Sequence, residues 1–299
     1  MGTEIDVAYV DKFSDDVHDL AQQKQSKLMV TVRDDVSTGN GGQFFFDRLG
    51  LLNANEVVGR HSDTILTDPP HSRRLIVPRD FDVASMLDKA DKRRIIAKGA
   101  FDSKYARAQV YALNRKTDDL IIAAGFADAI SIDEDRGQTT VPLPAAQKVL
   151  AGGTALLKQK ILDATLILDN ADVDEDLERF AVVSPKGIQD LLNDDEVVSN
   201  DFNVVKALVN GEINTWLGYT WIKMNRLPLL TPGGDVRRTM FFAQGAIGIA
   251  KPASIETSVD KRPDKRNGLQ ILSDFSMDGT RIEEALFVEV QYDETASVS

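Results

Sequence analysis

The sequence predicts an α+β chain built from strand-rich and helical stretches. Three observations carry that expectation. One helical stripe begins near Asp102 and holds for more than twenty residues, short β-prone runs flank the proline turn Asp68-Pro69-Pro70, and the last sixty residues are rich in strands. At 299 residues, with 42% apolar and 27% charged side chains, the chain can bury a core of two packed units. No apolar run approaches eighteen residues, so no membrane-spanning helix is expected. The start, with Glu4, Asp6 and Asp11 and no basic stretch, does not read as a secretory signal. Absence of cysteine excludes disulfides, thiolate nucleophiles and Cys-ligated metals.

Residues 1 to 43 read as a loosely structured arm. A short helix over Val17–Leu28 has only a thin apolar stripe because Gln22, Gln23 and Gln25 interrupt it, and Ser37 to Gly42 forms a flexible break. Phe44, Phe45 and Phe46 follow, a cluster too short to make its own core, which docks either on this subunit or on a neighbour. Residues 57 to 79 form an extended excursion, with Val57-Val58, Thr64–Leu66 and Leu75–Val77 around the proline turn. So polar a two-stranded ribbon is marginal in water and needs a surface to lie on.

Val83, Met86, Leu87 and Ala90 fall at helical spacing. The longer helix takes Asp102 as N-cap and runs to about Ala124, with Ala106, Val110, Leu113, Leu120, Ile121 and Ala124 on one face and Gly125 as its stop. That rod is roughly 33 Å long and lies along a sheet. Asp128 to Leu150 reads as loop. Thr154 is expected to cap a helix with the stripe Leu157, Ile161, Ala164 and Leu168. Arg179–Ser184 is a strand, and Ser184-Pro185 opens the next helix with serine at N-cap and proline at N1. A short helix over Phe202–Val209 and an aromatic-faced strand through Leu217, Tyr219 and Trp221 complete a second domain at about 127 to 237. The late strands, at 239–243, 255–259, 269–277 and 286–291, are expected to pair beside the long helix and make the first domain discontinuous.

The chain carries 47 acids against 35 bases, a net charge of -12, which argues against nucleic-acid binding as its main work. The bases concentrate at 60 to 116 and the acids at 167 to 201, two poles that either meet across interfaces or form solvated faces. Many such copies in one assembly repel each other, so assembly should depend on ionic strength.

No catalytic or metal site is expected. His61-Ser62-Asp63 has the residue types of a triad, but neighbours in an extended segment point apart. Zinc lacks third and fourth ligands beside His61 and His71. Asp172, Asp174 and Asp176 imitate the start of a calcium loop, but its sixth position is Leu177 and its twelfth Val183, where glycine and glutamate are needed. No phosphate-binding glycine motif or nucleophile elbow occurs. The tandem bases Arg73-Arg74, Lys92-Arg93-Arg94, Arg237-Arg238 and Lys261-Arg262 are more readily ion-paired or solvated than phosphate-bound.

An ordered set of segments remains. These are Phe45-Phe46-Asp47-Arg48-Leu49-Gly50, then Pro70-His71-Ser72-Arg73-Arg74 with Arg79-Asp80, and Asp118-Asp119-Leu120-Ile121-Ile122-Ala123-Ala124. Val182-Val183-Ser184-Pro185, the run Val205 to Ile213, Arg262-Pro263-Asp264-Lys265 and Thr280-Arg281-Ile282-Glu283-Glu284 follow. Together they span nearly the whole chain, which resembles the tailed-bacteriophage major capsid proteins with the HK97-type fold.

The resemblance implies an N-terminal arm at 1–50, an extended loop at 51–81 and a peripheral domain with its spine helix at 82–126. It further implies an axial domain at 127–237, and return strands to the peripheral domain at 238–299. The implied function is self-assembly, as pentamers and hexamers, into an icosahedral shell enclosing double-stranded DNA without sequence-specific binding. It would be assembled in the host cytoplasm, with no cofactor and no membrane. A shell of the same fold around protein cargo, and a tail-tube or connector subunit, are the alternatives. Residues 60 to 80 contain no lysine, which argues against a covalent cross-link through the loop and for loop overlap or a separate cement protein. The arm begins almost at Met1, which implies a separate scaffolding protein beside the portal. Arg73, Arg74 and Arg79, with Phe44, Phe45 and Phe46, are the expected intersubunit contacts.

Overall fold

The computed structural model describes residues 22–34, 42–56, 59, 63, 66–87, 101–133, 137–171, 176–193 and 215–297. Expectations at 1–21, for Ser37 to Gly41, Val57-Val58, His61-Ser62, Lys92 to Arg94, Asp172 to Glu175 and the helix at 202–209 lie outside these residues. The chain divides into two compact units. One comprises 1–25, 82–115 and 255–274, and the other 26–81, 116–254 and 275–299.

The first sheet has the order β1-β2-β4-β5, from β1 (Phe44–Leu49), β2 (His71–Ile76), β4 (Ala129–Asp133) and β5 (Gln138–Val141). Its hairpin pairs Phe44 with Ile76 through to Leu49 with His71, so the aromatic run is itself a strand. The region 128–150, expected as loop, supplies β4 and β5 instead. Ala129 and Ser131 are buried and alternate with Ile130 and Ile132, and pairing of Leu75 with Ile130 settles the period of two.

β3 (Arg79–Leu87) corrects the expected helix as far as Val83–Leu87. Phe81, Val83, Ser85 and Leu87 are half-buried and alternate with exposed residues. Its sheet has the order β11-β12-β3, with β11 (Ile247–Arg262) and β12 (Gly268–Arg281).

The long helix α1 (Phe101–Phe126) runs 26 residues, roughly 39 Å. Phe101 is already helical, so Asp102 is not the N-cap, and Gly125 is helical rather than the stop. Gly125 instead permits close packing: a Cβ there would lie 2.9 Å from the Phe287 ring and 3.0 Å from Met240 Sδ. The helix does run along a strand, as expected. Gln109 donates to Ile271 O at 3.0 Å and accepts from Ser273 Oγ at 2.8 Å, both on β12.

The six-stranded sheet has the order β6-β13-β10-β7-β9-β8. Its strands are β6 (Lys148–Val149), β7 (Arg179–Val183), β8 (Thr215–Trp216), β9 (Tyr219–Lys223), β10 (Val236–Ala243) and β13 (Phe287–Asp293). Of the late strands, β11 and β12 share a sheet with β3, whereas β10 and β13 pair beside β7. The strand expected through Leu217 is a hairpin: Leu217 and Gly218 turn with φ 51° and 77°, and Trp216, Tyr219 and Trp221 are buried. Helices α2 (Lys158–Asn170) and α3 (Pro185–Leu192) pack on this sheet through Ile161, Ala164, Leu168, Ile188 and Leu191. Leu157, not Thr154, occupies the N-cap of α2, because the Thr154 hydroxyl donates to Ala151 O at 3.0 Å and closes the preceding turn.

Ser184-Pro185 behaves as the sequence predicts. The Ser184 hydroxyl accepts from Gly187 N at 3.2 Å and, 2.8 Å from Glu294 Oε1, donates its one proton there. The Tyr292 hydroxyl, 2.6 Å away, is therefore a donor to Ser184. Burial pushes the Tyr292 phenol up to about 12. A raised folded-state pKa means that this stabilisation is complete below the unfolded value near 10 and is lost as pH climbs toward 12. Burial raises Tyr219 in the same direction. Thermal unfolding of the unassembled subunit should fall between pH 10 and 12, with a smaller fall in Tyr292→Phe.

Candidate assembly surface

The surface expected to meet other copies is the β1/β2 hairpin and the excursion it carries. At its base, Gly50 N donates to Pro70 O at 2.8 Å. A Cβ on Gly50 would stand 2.5 Å from Pro70 Cγ, so this close approach needs glycine. Beyond the base, the described residues 51–56, 59, 63 and 66–70 are exposed, save the half-buried Pro69. Leu51 is 96% and Leu66 89% exposed, with Leu49 and Leu52 also open to solvent. Each leucine left in water forgoes about 1.5–3 kcal/mol of burial.

Phe44 and Phe46 turn inward and form a small core with Ile76, Ala250 and Ile282. Phe45, half-buried, points to the opposite face of the strand. A Cβ on Gly248 would meet the Phe46 ring at 2.5 Å, so β11 lies directly against the aromatic. Two of the three rings are thus packed within their own subunit.

The three arginines have different surroundings. Arg73 is exposed, and its Nε lies 2.6 Å from Asp47 Oδ1 across the hairpin. An exposed pair of that kind contributes at most about 1 kcal/mol, so its partner is readily exchanged. Arg79 forks onto Asp278 at 2.9 and 3.2 Å, and its guanidinium lies 5.8 Å from the Phe81 ring centre. Arg74 is buried and committed inside the subunit. Its Nη2 donates to both oxygens of Glu284 at 2.7 and 2.8 Å, and its Nε to Ile282 O at 3.2 Å.

Arg281 approaches the same carboxylate at 3.7 Å and donates to Gly125 O, Ala127 O and Val141 O. Arg48 lies 3.7 Å from Glu284 on the more exposed side. Burial pushes both Arg74 and Arg281 down, while Glu284 holds them charged. One carboxylate thereby ties the hairpin base to the end of β12. The sequence shows Glu284 and Arg281 but not their partner 210 residues away in Arg74. In the sequence Leu66 closes a short β-prone run, and Leu49-Gly50-Leu51-Leu52 is apolar without either structural period, so neither signals this exposure.

Outside the loop, a cleft of about 680 Å³ lies among Asp47, Arg48, Leu49, His71, Ser72, Arg73, Ile132 and Asp133. Its acids and bases are interleaved, and among the described residues no group of three His, Cys, Asp or Glu could hold a metal.

Residues 26–33 are held by a buried carboxylate rather than by the expected helix, since 22–28 is non-helical. Asp118 accepts from Ser26 Oγ at 2.6 Å, Lys27 N at 3.1 Å and Leu28 N at 3.2 Å. Further along, Arg33 N donates to Ile247 O at 3.0 Å. Asp118→Ala leaves those donors without their acceptor and should cost about 2–3 kcal/mol. Hydrogen exchange at the Lys27 and Leu28 amides should accelerate strongly, and less in Asp118→Asn, which retains an oxygen.

The model of the phage capsid protein family matches residues 5–294. The chain belongs to that family. The capsid protein's fold is also that of solved phage capsids. The cyanophage P-SCSP1u capsid is 16% identical, with 97% of this chain and 94% of that chain covered and a TM-score of 0.66. The cyanophage Pam1 capsid gives 11%, 96%, 97% and 0.70, and the Ralstonia phage GP4 capsid 12%, 96%, 95% and 0.70. No curated protein matches the capsid protein in sequence. The α+β, HK97-type expectation agrees with these structures, and the chain is a major capsid protein, a subunit of an oligomeric virion shell. Family membership implies a structural role rather than catalysis. Among the described residues no helix is long and apolar enough to cross a membrane.

Proposed function

We propose that copies of this capsid protein close, as pentamers and hexamers, into an icosahedral shell around double-stranded DNA. In that shell, residues 51–81 form a loop that overlaps an adjacent copy. Residues 82–126, with strands from 238–299, form the peripheral domain, and residues 127–237 the core of the axial domain. Assembly takes place in the host cytoplasm with a separate scaffolding protein and a portal, and either the loop overlap or a cement protein reinforces the shell. Arg73, Arg79 and Phe45, each wholly or partly open on the isolated subunit, are the contacts offered to neighbours. Phe44, Phe46 and Arg74 support the loop from inside.

The observation that carries this reading is the excursion itself: Leu51 and Leu66 stand almost wholly in water on a loop whose two ends are bonded together and braced by Arg74 and Glu284. A loop so built gains its burial from a second molecule. Electron microscopy of particles from producing cells, with and without nuclease, tests it. Closed polyhedral shells holding nuclease-protected DNA are expected. Rings or open tubes point to a tail or connector subunit, and shells filled with protein to a cargo compartment; either result overturns the reading.

A further inference from the structure

A cluster of bases on the second unit is held by partners that leave most of its charge intact. Lys116 lies on the same face of α1 as Asp119, Lys27 precedes β1, and Lys223 and Arg226 stand at and just beyond the end of β9. Three contacts tie these chain segments together. Lys27 Nζ donates to Lys223 O at 2.9 Å, the Lys27 amide donates to Asp118 at 3.1 Å, and Arg226 pairs with Asp119. The Lys116 ammonium sits over the Phe81 ring, 4.8 Å from its centre.

A carbonyl and an aromatic ring orient an ammonium without cancelling it. Lys27 and Lys116 thus keep their charge, and neither makes an ion pair among the described residues. Asp118 is wholly buried and takes its hydrogen bonds from Ser26, Lys27 and Leu28. Asp119 is partly exposed, and its pair with Arg226 is a surface contact of at most about 1 kcal/mol, readily exchanged. These two residues, with Ile122, Ala123 and Pro228, line a groove of about 350 Å³, so the guanidinium is approachable from outside. The partner that fits is a polyanion. Duplex phosphates recur about every 1.7 Å along the axis, so ammoniums from separate segments each meet one without a fixed register. A protein interface centres on a large apolar anchor, whereas the groove offers Ala123 and half-buried Pro228 beside buried Ile122.

We propose that Lys27, Lys116, Lys223 and Arg226 form a sequence-independent contact for phosphates of the enclosed DNA. Asp119 is the counter-charge that a phosphate displaces from Arg226. The inference rests on the shell reading, and it turns this face of the second unit toward the lumen.

Lysine acetylation of intact particles, read peptide by peptide by mass spectrometry, tests it. DNA-filled and DNA-free shells of the same protein are labelled side by side. Lys27, Lys116 and Lys223 should react about fivefold more slowly in filled shells, and molar salt during labelling should remove the difference. Lys186, on α3 and paired with Asp190, should react alike in both. Lys27→Gln with Lys223→Gln should leave shell yield and the unfolding temperature of the free subunit unchanged, yet halve the protection of Lys116. Asp119→Asn frees Arg226 and should deepen that protection. Equal reactivity of the three lysines in filled and empty shells overturns the inference. So does equal protection in both, which would assign the patch to a second copy. Shells that never hold DNA count against the shell reading instead.

Discussion

Glu284→Ala should be the most damaging single substitution in the second unit, costing about 3–5 kcal/mol. Glu284 is the only carboxylate in the described structure hydrogen-bonded to Arg74, and Arg74 and Arg281 are 2% and 0% exposed. Removing it leaves two buried guanidiniums facing each other with only the weaker attraction of Asp133 and Asp128 to offset them, and Arg74 Nη1 and Arg281 Nε already lack hydrogen-bond partners. Arg74→Met should cost less. It deletes a buried cation, fills similar volume with a flexible apolar side chain, and leaves Glu284 with Arg281 and Arg48. The order matters more than either value. Urea unfolding of the free subunit should rank wild type, Arg74→Met and then Glu284→Ala. A reversed order would mean that Glu284 is solvated and the arginine supplies only packing. The hairpin base should loosen with the network, so amide exchange at Ser72 and Arg74 should accelerate in Glu284→Ala before global unfolding.

The sequence discloses those parts of this architecture whose causes are local. Ser184-Pro185 is legible because a hydroxyl at N-cap and a fixed φ at N1 act within one turn. The stripe of α1 is legible because Leu113, Leu120, Ile121 and Ala124 are all buried on one side. At 79–87 two periods coexist, and Val83 and Leu87 belong to both; Phe81 and Ser85 complete the strand reading only once β12 provides a neighbouring strand. Ala129 to Asp133 was hidden among turn-forming residues, and its pairing with β2 lies some sixty residues upstream, as Arg74 with Ser131 shows. The resemblance to capsid proteins implied that Arg74, like Arg73, is an outward contact. Strand alternation sends the two to opposite faces, and a carboxylate far along the chain claims one of them. Pairings of this kind leave no spacing in the sequence to read.

Leu51→Asp combined with Leu66→Asp should separate folding from assembly. Both side chains are almost wholly in water, so nothing within the subunit is lost, and the free protein should unfold within about 0.5 kcal/mol of wild type. In the assembled state the same two leucines are expected to be covered. Each then contributes about 1.5–3 kcal/mol, and replacing it with a carboxylate adds the cost of burying a charge. Two such losses at every subunit contact exceed what a cooperative shell tolerates, so sedimentation should show shell yield falling at least a hundredfold, with subunits or small oligomers left at the top of the gradient. Leu51→Ala with Leu66→Ala removes burial without adding charge and should give an intermediate yield that recovers at raised protein concentration. High salt should not rescue the alanine pair, since its defect is apolar. It should partly rescue the aspartate pair if the covering surface is acidic, which is the expectation for a neighbour drawn from a chain of net charge -12. Shells that form normally from the aspartate pair would show that the excursion lies on no neighbour, and the overlap would have to be abandoned.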